Sequence, residues 1–224
     1  MSILGGNKRA LHSSNMSETN NTPQRMVNQA VARDSGVPTE SRSDEILITL
    51  FQSGDDGAFR QLVERYAQRV RNLIYSIFND SSVVDDIAQE VFIRVYEGLP
   101  KFRFESSFYT WLYRIAVNKS RDEMRKRKAK RFLSLHAMLE SPNSEIHSKL
   151  RVHQDDTSAQ EIVAKGLRQL PDKFRIPIIL KDIDGMSYEE MAEIMQCEIG
   201  TVKSRLSRAR GMMRKILTPM LDAQ

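Results

Sequence analysis

Residues Met186–Leu217 read MSYEEMAEIMQCEIGTVKSRLSRARGMMRKIL, a pattern that predicts two helices joined by a tight turn. Ser187 followed by Glu190 is a capping box, so the short first helix is expected to begin directly after Ser187. The second helix is expected from about Glu198 to Leu217. Apolar residues recur along it at steps of four and three, which indicates one buried stripe. The stripe consists of Val202, Leu206, Ala209, Met213 and Ile216.

The remaining faces of this second helix are basic, and from Gly200 to Leu217 they carry no acidic residue. A helix of this kind enters the DNA major groove with its first turns, where arginine can read guanine and lysine or serine more often holds phosphates. The alternative is an ordinary amphipathic helix in a bundle. The capping box, the short first helix and the one-sided charge favour DNA binding, although Gln196 stands near the place where repressor-type motifs often have glycine. The candidate contacts are Thr201, Lys203, Ser204, Arg205, Ser207 and Arg208.

A second stretch, Lys101–Arg131, combines six aromatic side chains with a dense basic run. Rings stack on unpaired bases and cations hold phosphates, so this combination indicates a surface for single-stranded nucleic acid. Phe108 and Leu112 have core spacing, however, and the alternative interpretation is a buried ring cluster beside a solvated basic face. Tyr109 and Tyr113 fall on a different flank, so one apolar stripe does not account for all the rings.

The whole chain of 224 residues is predicted to be all-α, with two small helical domains joined by a flexible linker. Residues 1–43 are polar and are expected to be a disordered tail. The first domain is expected at 44–131, the linker at 132–158 and the second domain at 159–218. Predicted helices in the first domain are Asp44–Ser53, Asp56–Phe78, a third from a Ser82 cap with Asp85 to Gly98, and a fourth from Ser106 or Ser107. Those in the second domain are Gln160–Leu170, Asp172–Ile183 with a kink at Pro177, Tyr188–Met195 and the long basic helix.

Composition excludes several function classes. The formal net charge is +5 and the pI is about 9.3, which favours an anionic partner. The single cysteine, Cys197, forms no intramolecular disulfide, and we find neither a signal peptide nor an apolar run of membrane-spanning length, so a cytoplasmic protein is expected. No catalytic constellation or cofactor motif is present. His136, His147 and His153 match no familiar metal-ligand spacing and are expected to be solvated.

The predicted third helix has an acidic outer face, formed by Asp85, Asp86, Gln89 and Glu90. Spacing alone favours a solvated face. The alternative is a docking site for a basic protein, because acidic residues beside a DNA-binding surface repel phosphate.

Three segments together resemble a known family. DDIAQEVFIRVYEGLPKF, FYTWLYRIAVN and LPDKFRIPIILKDIDGMSYEEMAEIMQCEIGTVKSRLSRARGMMRK are similar to regions 2 and 4 of bacterial RNA polymerase sigma factors of the extracytoplasmic-function (ECF) group. The resemblance implies a stress-response sigma factor that binds core polymerase, directs it to promoters and helps to melt the −10 region without covalent chemistry. It also implies contacts with the beta-prime clamp helices and the beta flap of polymerase, and an anti-sigma factor as a partner.

The resemblance assigns roles to the features above. The acidic face (Asp85, Asp86, Gln89 and Glu90) is then the polymerase-binding surface, and the second domain reads the −35 element. The loop 102–107 and the following helix recognise the −10 element and hold a flipped base, which must leave the stack before a pocket can read it. The implied −10 contacts are Phe104, Ser106, Tyr109, Trp111, Tyr113, Arg114, Asn118 and Lys119.

Two other functions remain open from the residues alone. A stand-alone helix-turn-helix activator predicts dimers and palindromic sites, and it leaves the acidic helix without a role. An enzyme acting on nucleic acid requires a catalytic constellation, which is not found in the sequence.

Overall fold

The computed structural model describes residues 42–139 and 159–221, with the side chains of residues 134–139 excepted. Within these ranges the chain forms eight α-helices and no strand, which confirms the all-α class. Two 3-10 turns, Ser81–Val83 and Leu99–Lys101, flank the third helix, and a π-helical turn, Ile179–Ile183, continues the sixth. The helices are α1 (Asp44–Gln52), α2 (Asp56–Phe78), α3 (Val84–Gly98), α4 (Phe108–Leu139), α5 (Ala159–Gln169), α6 (Asp172–Ile178), α7 (Tyr188–Met195) and α8 (Ile199–Leu221).

The first four helices form one bundle, because each turns an apolar stripe toward the others. Phe59 and Leu62 of α2, Phe92 of α3 and Leu112 of α4 are almost completely buried. Burial of side chains of this size contributes about 1.5–3 kcal/mol each. The bundle therefore gives α3 and α4 a rigid support.

The helix starts show which capping predictions hold. The Ser43 hydroxyl accepts a hydrogen bond from the Ile46 amide, and α1 begins at Asp44 as expected. The predicted Ser82 cap of the third helix is wrong. Asp80 instead accepts hydrogen bonds from the amide (3.1 Å) and the hydroxyl (2.6 Å) of Ser82 and caps a 3-10 turn, after which α3 starts without a side-chain cap. The Asp80 carboxylate thus binds the Ser82 hydroxyl, which had been predicted to cap the third helix.

Helix α4 begins as predicted but continues further than expected. The Ser107 hydroxyl accepts from the Thr110 amide at 3.0 Å, so Ser107 caps the helix. The helix extends to Leu139, and the predicted boundary at Arg131 falls inside it. Phe132 and Leu133, the first residues beyond that boundary, are exposed. The rest of the expected linker and residues 1–41 of the expected tail lie outside the described residues.

Pro177 was expected to kink the Asp172–Ile183 helix or to shift its start, but α6 starts at Asp172 and includes Pro177. Helix α6 ends at Ile178, and the chain continues as a π-helical turn that the Asp184 amide closes on the Ile179 carbonyl at 2.9 Å. Proline disfavours regular helix around itself, because its ring clashes with the preceding turn and it lacks an N–H donor. This turn sets the direction of the chain before α7.

Helices α7 and α8 form the expected helix-turn-helix. The capping box is present, with the Ser187 hydroxyl bound by the Glu190 amide and the Glu190 carboxylate bound by the Ser187 amide. Gln196 ends α7 in the left-handed region, at φ 54°, which is the conformation that glycine provides in other such turns. The α8 stripe is confirmed: Val202, Leu206, Ala209 and Met213 are buried and Ile216 is half-buried.

The two domains pack against each other. Helix α7 lies on α4, and α5 and the π-helical turn lie on α2. Arg175 of α6 joins the two sides, because its guanidinium donates hydrogen bonds to the Leu167 carbonyl at 2.9 Å in its own domain and to the Ile77 carbonyl at 3.0 Å at the end of α2. Buried apolar residues of both domains belong to one continuous core.

Candidate nucleic-acid interface

The loop that precedes α4 presents an exposed ring. Phe104 has φ 58°, a left-handed conformation that costs an aromatic residue of order 1 kcal/mol, and its side chain is 44% exposed. The ring packs edge-on against Phe102 with centroids 5.2 Å apart. The Gln52 side-chain amide fixes the base of the loop, since it donates to the carbonyls of Leu99 and Phe102, each at 3.0 Å. Phe104 is therefore an exposed ring on a loop held in place by hydrogen bonds, which is suitable for stacking on an unpaired base.

Beside this loop lies a cleft of about 560 Å³ that is large enough for a base. Trp111 forms one wall, and its ring is held by Phe102 at 5.0 Å and Phe108 at 6.0 Å between centroids. Gly98 permits this position, because a Cβ atom there would lie 3.1 Å from the Trp111 ring. The rest of the lining is mostly polar and consists of Lys101, Arg103, Glu105, Ser106, Arg114 and Glu193, together with the ring of Phe102.

Tyr109 and Tyr113 form a tilted ring pair on the next part of α4, with ring centroids 4.3 Å apart and an angle of 46° between the planes. Tyr109 is half-buried, and the guanidinium of Arg69 on α2 lies over its ring at 5.8 Å. Tyr113 is only 2% exposed. Burial raises the pKa of both phenols, and the negative charge of Asp184 raises it further. Both therefore remain neutral hydrogen-bonding groups.

The acidic face of α3 is solvent-accessible but not free of partners. Asp85 and Asp86 are exposed, and the Asp85 carboxylate lies 2.8 Å from the guanidinium of Arg71. Gln89 is half-buried and has an interaction partner. The Glu90 carboxylate is half-exposed and forms an ion pair with Lys119 of α4.

Lys119 differs from its expected role as a DNA contact. Its side chain is 5% exposed, and its ammonium pairs with Glu90, so it joins α4 to α3 beneath the surface. Because Lys119 lies in a basic run, the sequence does not indicate that its side chain points inward. Asn118, the residue before it, is half-buried and lines two clefts beside α4.

The predicted recognition helix presents most of its candidate contacts to solvent. Lys203, Ser204, Ser207 and Arg208 are exposed, whereas Thr201 and Arg205 are half-buried. The Ser204 hydroxyl donates to the Thr201 carbonyl at 3.0 Å. The exposed side chains lie opposite the buried stripe, as a helix in the major groove requires.

A basic cleft between the domains was missed by the sequence analysis. It has a volume of about 780 Å³ and is lined by basic residues of α3, α4, α6 and α8. Burial and the nearby charge of Arg205 lower the pKa of Arg121 in its wall. No local pattern signals such a cleft, because its members are far apart in the sequence. The basic lining residues are Arg94, Arg121, Arg125, Lys173 and Arg205.

Comparison with protein families matches both domains. Residues 62–130 match the model described as Sigma-70 region 2, and residues 160–213 match the model described as Sigma-70, region 4. The chain is 36% identical over 189 residues to the ECF RNA polymerase sigma-E factor of Escherichia coli (strain K12), covering 82% of this chain and 98% of that protein. It is 38% identical over 192 residues to the RNA polymerase sigma-H factor of Pseudomonas aeruginosa, covering 80% and 95%.

Solved structures agree with this result. The structure of CnrH in complex with the cytosolic domain of CnrY is similar with a TM-score of 0.57 and 30% identity, covering 81% of this chain and 98% of that chain. The sigma factor RpoE in complex with the anti-sigma factor NepR from Bartonella quintana gives a TM-score of 0.55 and 28% identity, covering 71% and 96%.

The chain therefore belongs to the ECF family of RNA polymerase sigma factors. It binds core RNA polymerase and directs it to promoters, which confirms the function predicted from the resemblance.

Two negative findings concern the described residues alone. Within 42–139 and 159–221, no helix combines the length and apolarity that crossing a bilayer requires. The same ranges contain no group of histidine, cysteine and acidic side chains placed to hold a metal ion. His147 and His153 lie outside them, as does the side chain of His136.

Proposed function

We propose that the chain docks on core RNA polymerase through the acidic face of α3. Asp85, Asp86 and Glu90 are exposed on one side of a helix whose other side is fixed in the bundle core. A row of carboxylates on a rigid helix complements a basic helical partner and guides its approach. The beta-prime clamp helices of polymerase are the partner that the family resemblance supplies, and Gln89 completes the face.

The −10 element is bound by the loop 102–107 and the first turns of α4. Phe104 offers an exposed ring, and the cleft beside Trp111 accepts a base that has left the duplex stack. Unstacking a base costs a few kcal/mol, and stacking on an aromatic ring returns about 1–3 kcal/mol per base. Capture of the single strand therefore drives melting. Ser106, Tyr109, Arg114 and Asn118 extend this surface. Tyr113 is buried and supports the Tyr109 ring, and Lys119 holds α4 on α3.

The −35 element is read as a duplex by α8. Its N-terminal turns carry Lys203, Ser204, Ser207 and Arg208 on the exposed side, while Thr201 and Arg205 lie at the edges of that face. Arginine is suited to guanine and the shorter or more flexible side chains to phosphate. Specificity then resides chiefly in the two arginines.

The protein works in the cytoplasm without catalysing a covalent step, because binding energy alone opens the promoter. An anti-sigma factor is its expected inhibitor, and a stress signal is expected to release it. The similar structures CnrH and RpoE are complexes with CnrY and with the anti-sigma factor NepR, respectively, which supports this assignment.

One observation carries the proposal: an acidic helix face, an exposed aromatic loop and an exposed basic helix face lie on separate elements of one small chain. A protein that binds DNA alone has no use for the acidic face. The test is an electrophoretic mobility assay on promoter DNA, with and without core polymerase freed of other sigma factors. We expect weak binding by the chain alone and a stable complex after core is added. Tight binding to a palindromic site by the chain alone, unchanged by core, would overturn the proposal in favour of a dimeric activator.

A further inference from the structure

We propose that Gln52, the last residue of α1, is a positioning residue for −10 recognition. It holds the loop 102–107 in the shape that presents the Phe104 ring and keeps the cleft beside Trp111 in place. Gln52 is not among the residues that line this cleft, so it acts through the loop and not on the DNA. This inference rests on the proposed role of the loop in −10 binding.

Two hydrogen bonds tie Gln52 to the start of the loop. Its side-chain amide donates to the Leu99 carbonyl and to the Phe102 carbonyl, each at 3.0 Å. Both partners are acceptors, and the amide nitrogen has one hydrogen for each of them. The Leu99 carbonyl also accepts from the Phe102 amide at 3.1 Å, which closes the 3-10 turn after α3. Gln52 therefore fixes the orientation of the peptide group from which the loop leaves this turn.

The loop itself has few other restraints. At its far end, the Ser107 hydroxyl caps α4 by accepting from the Thr110 amide. Within 42–139 and 159–221, residues 103–105 make no hydrogen bond, so the loop is held at its two ends. Phe104 lies between those ends at φ 58°, a conformation that persists only where the surrounding structure holds it. Release of the Gln52 end would let Phe104 leave this conformation.

The amide of Gln52 is itself presented from a fixed position. Phe51, the preceding residue, is 8% exposed, and its ring packs against Phe59 at 5.5 Å and Tyr96 at 5.2 Å between centroids. These contacts join the end of α1 to α2 and α3. A loop that is held in its binding shape before the strand arrives loses less conformational entropy on binding. The two hydrogen bonds thus raise the affinity for the −10 strand without contacting it.

Gln52 contributes to the loop and not to the core. Its side chain is exposed, whereas the buried stripe of α1 consists of Leu47, Ile48 and Phe51. A substitution at Gln52 removes the two hydrogen bonds and leaves that stripe intact. The effect on the loop can therefore be measured in a protein that still folds.

The test uses the complex of the full chain with core polymerase freed of other sigma factors. One probe is a fluorescently labelled single strand that carries the −10 sequence of a mapped promoter, and a strand of scrambled sequence is the other. Fluorescence anisotropy at fixed salt gives the ratio of the two affinities, which measures −10 recognition separately from general attraction to phosphates.

Three variants change the amides, and a fourth removes the ring. Gln52→Met removes the amide at similar side-chain length, and Gln52→Lys supplies another donor in its place. Gln68→Met is the matched control, because Gln68 is an exposed glutamine whose amide binds Asn72 of its own helix at 2.7 Å. Phe104→Ala tests the loop directly.

We expect Gln52→Met to lower the affinity ratio by about 3- to 10-fold, a factor typical of the loss of a neutral hydrogen bond. Gln52→Lys should restore most of the ratio, and Gln68→Met should match the wild type. Phe104→Ala should lower the ratio at least as much as Gln52→Met does. Core binding and the urea midpoint of Gln52→Met should stay close to those of Gln68→Met.

The contrary results are distinct. If Phe104→Ala lowers the ratio and Gln52→Met does not, the −10 role of the loop stands and the inference alone is overturned. A lower urea midpoint with equal losses for both strands would make Gln52 merely structural and would also overturn it. Failure of Gln52→Lys to restore the ratio would show that the donated hydrogen bonds are not the cause. If Phe104→Ala leaves the ratio unchanged, the proposed −10 role of the loop fails, and the inference fails with it.

Discussion

Glu90 is expected to serve both binding and stability, and Glu90→Gln separates the two. The Glu90 carboxylate is half-exposed on the acidic face of α3, while the Lys119 ammonium that it pairs with is 5% exposed. Removing one partner of a fully buried pair destabilises a protein by about 3–5 kcal/mol, whereas an exposed pair is worth about 0–1 kcal/mol. This pair is exposed on one side only, so we expect a loss of about 2 kcal/mol. That loss lowers the Tm of the first domain, residues 44–131, by roughly 8–16 °C.

Asp86→Asn is the matched control, because it removes the same charge from the same face at an exposed position. We expect both variants to bind core polymerase more weakly, in a competition assay at fixed salt. Only Glu90→Gln should lower the urea midpoint, and adding Lys119→Met should restore most of it, since no buried charge then lacks a partner. Equal stability of Glu90→Gln and Asp86→Asn would refute the reasoning about the pair. Undiminished core binding by both would refute the docking face.

Three further predictions concern the second domain. Arg208→Ala should weaken promoter-specific initiation about 5- to 150-fold, from the roughly 1–3 kcal/mol of a base contact, and leave core binding unchanged; equal losses of both would contradict its role. Ser187→Ala should destabilise the chain by about 1 kcal/mol in urea unfolding, because the first turn of α7 loses its cap, and Ser204→Ala, at an exposed position of α8, should not. Burial raises the pKa of Asp184 to about 6 from an ordinary value of 3.8. The native protein therefore binds the Asp184 proton more tightly than the unfolded chain does. The contribution of Asp184 to folding stability is largest below about pH 4 and falls as the pH rises to about 6. Other ionisable groups lie nearby: Arg69, Tyr109, Tyr113 and Glu190. The contribution of Asp184 is therefore measured as the difference in unfolding free energy between the wild type and Asp184→Asn, in which the other groups cancel. That difference should grow in favour of the variant between about pH 4 and about pH 6.5, and a difference that does not change with pH would contradict the assignment.

Features set by local sequence were predictable. The stripe from Val202 to Met213 has helical spacing, and the capping box at Ser187 depends on residues three positions apart. The start of α6 at Asp172, directly after Pro171, was likewise expected. Because these features involve neighbours in the chain, the sequence contains all the information that they need.

Features set by contacts between distant residues were not predictable. Lys119 belongs to a basic run, and only the position of Glu90 on a neighbouring helix turns it inward. The Ser82 cap failed for a local reason instead: Asp80, two residues earlier, accepts hydrogen bonds from the Ser82 amide and hydroxyl, and α3 starts without a side-chain cap. The continuation of α4 past Arg131 was missed as well, and Phe132 and Leu133 at its start are exposed. The position of Lys119 depends on a three-dimensional neighbour that no short window contains.

The exposure of the candidate site residues was also predictable only where the local sequence determines it. The exposed side of α8 follows from its stripe, since the polar residues must lie opposite the buried ones. The burial of Tyr113 does not, because it depends on how α4 packs in the folded chain. The link through Arg175 is equally remote, joining residues of α6 and α2.

This chain selects promoters for core RNA polymerase. The most direct measurement is run-off transcription on genomic DNA of the source organism, by core polymerase free of other sigma factors, with and without the protein. Discrete transcripts that depend on the protein are expected, with start sites that define the −10 and −35 sequences. Arg208→Ala should reduce those transcripts. The absence of new transcripts, together with failure of the protein to co-migrate with core polymerase, would contradict the account.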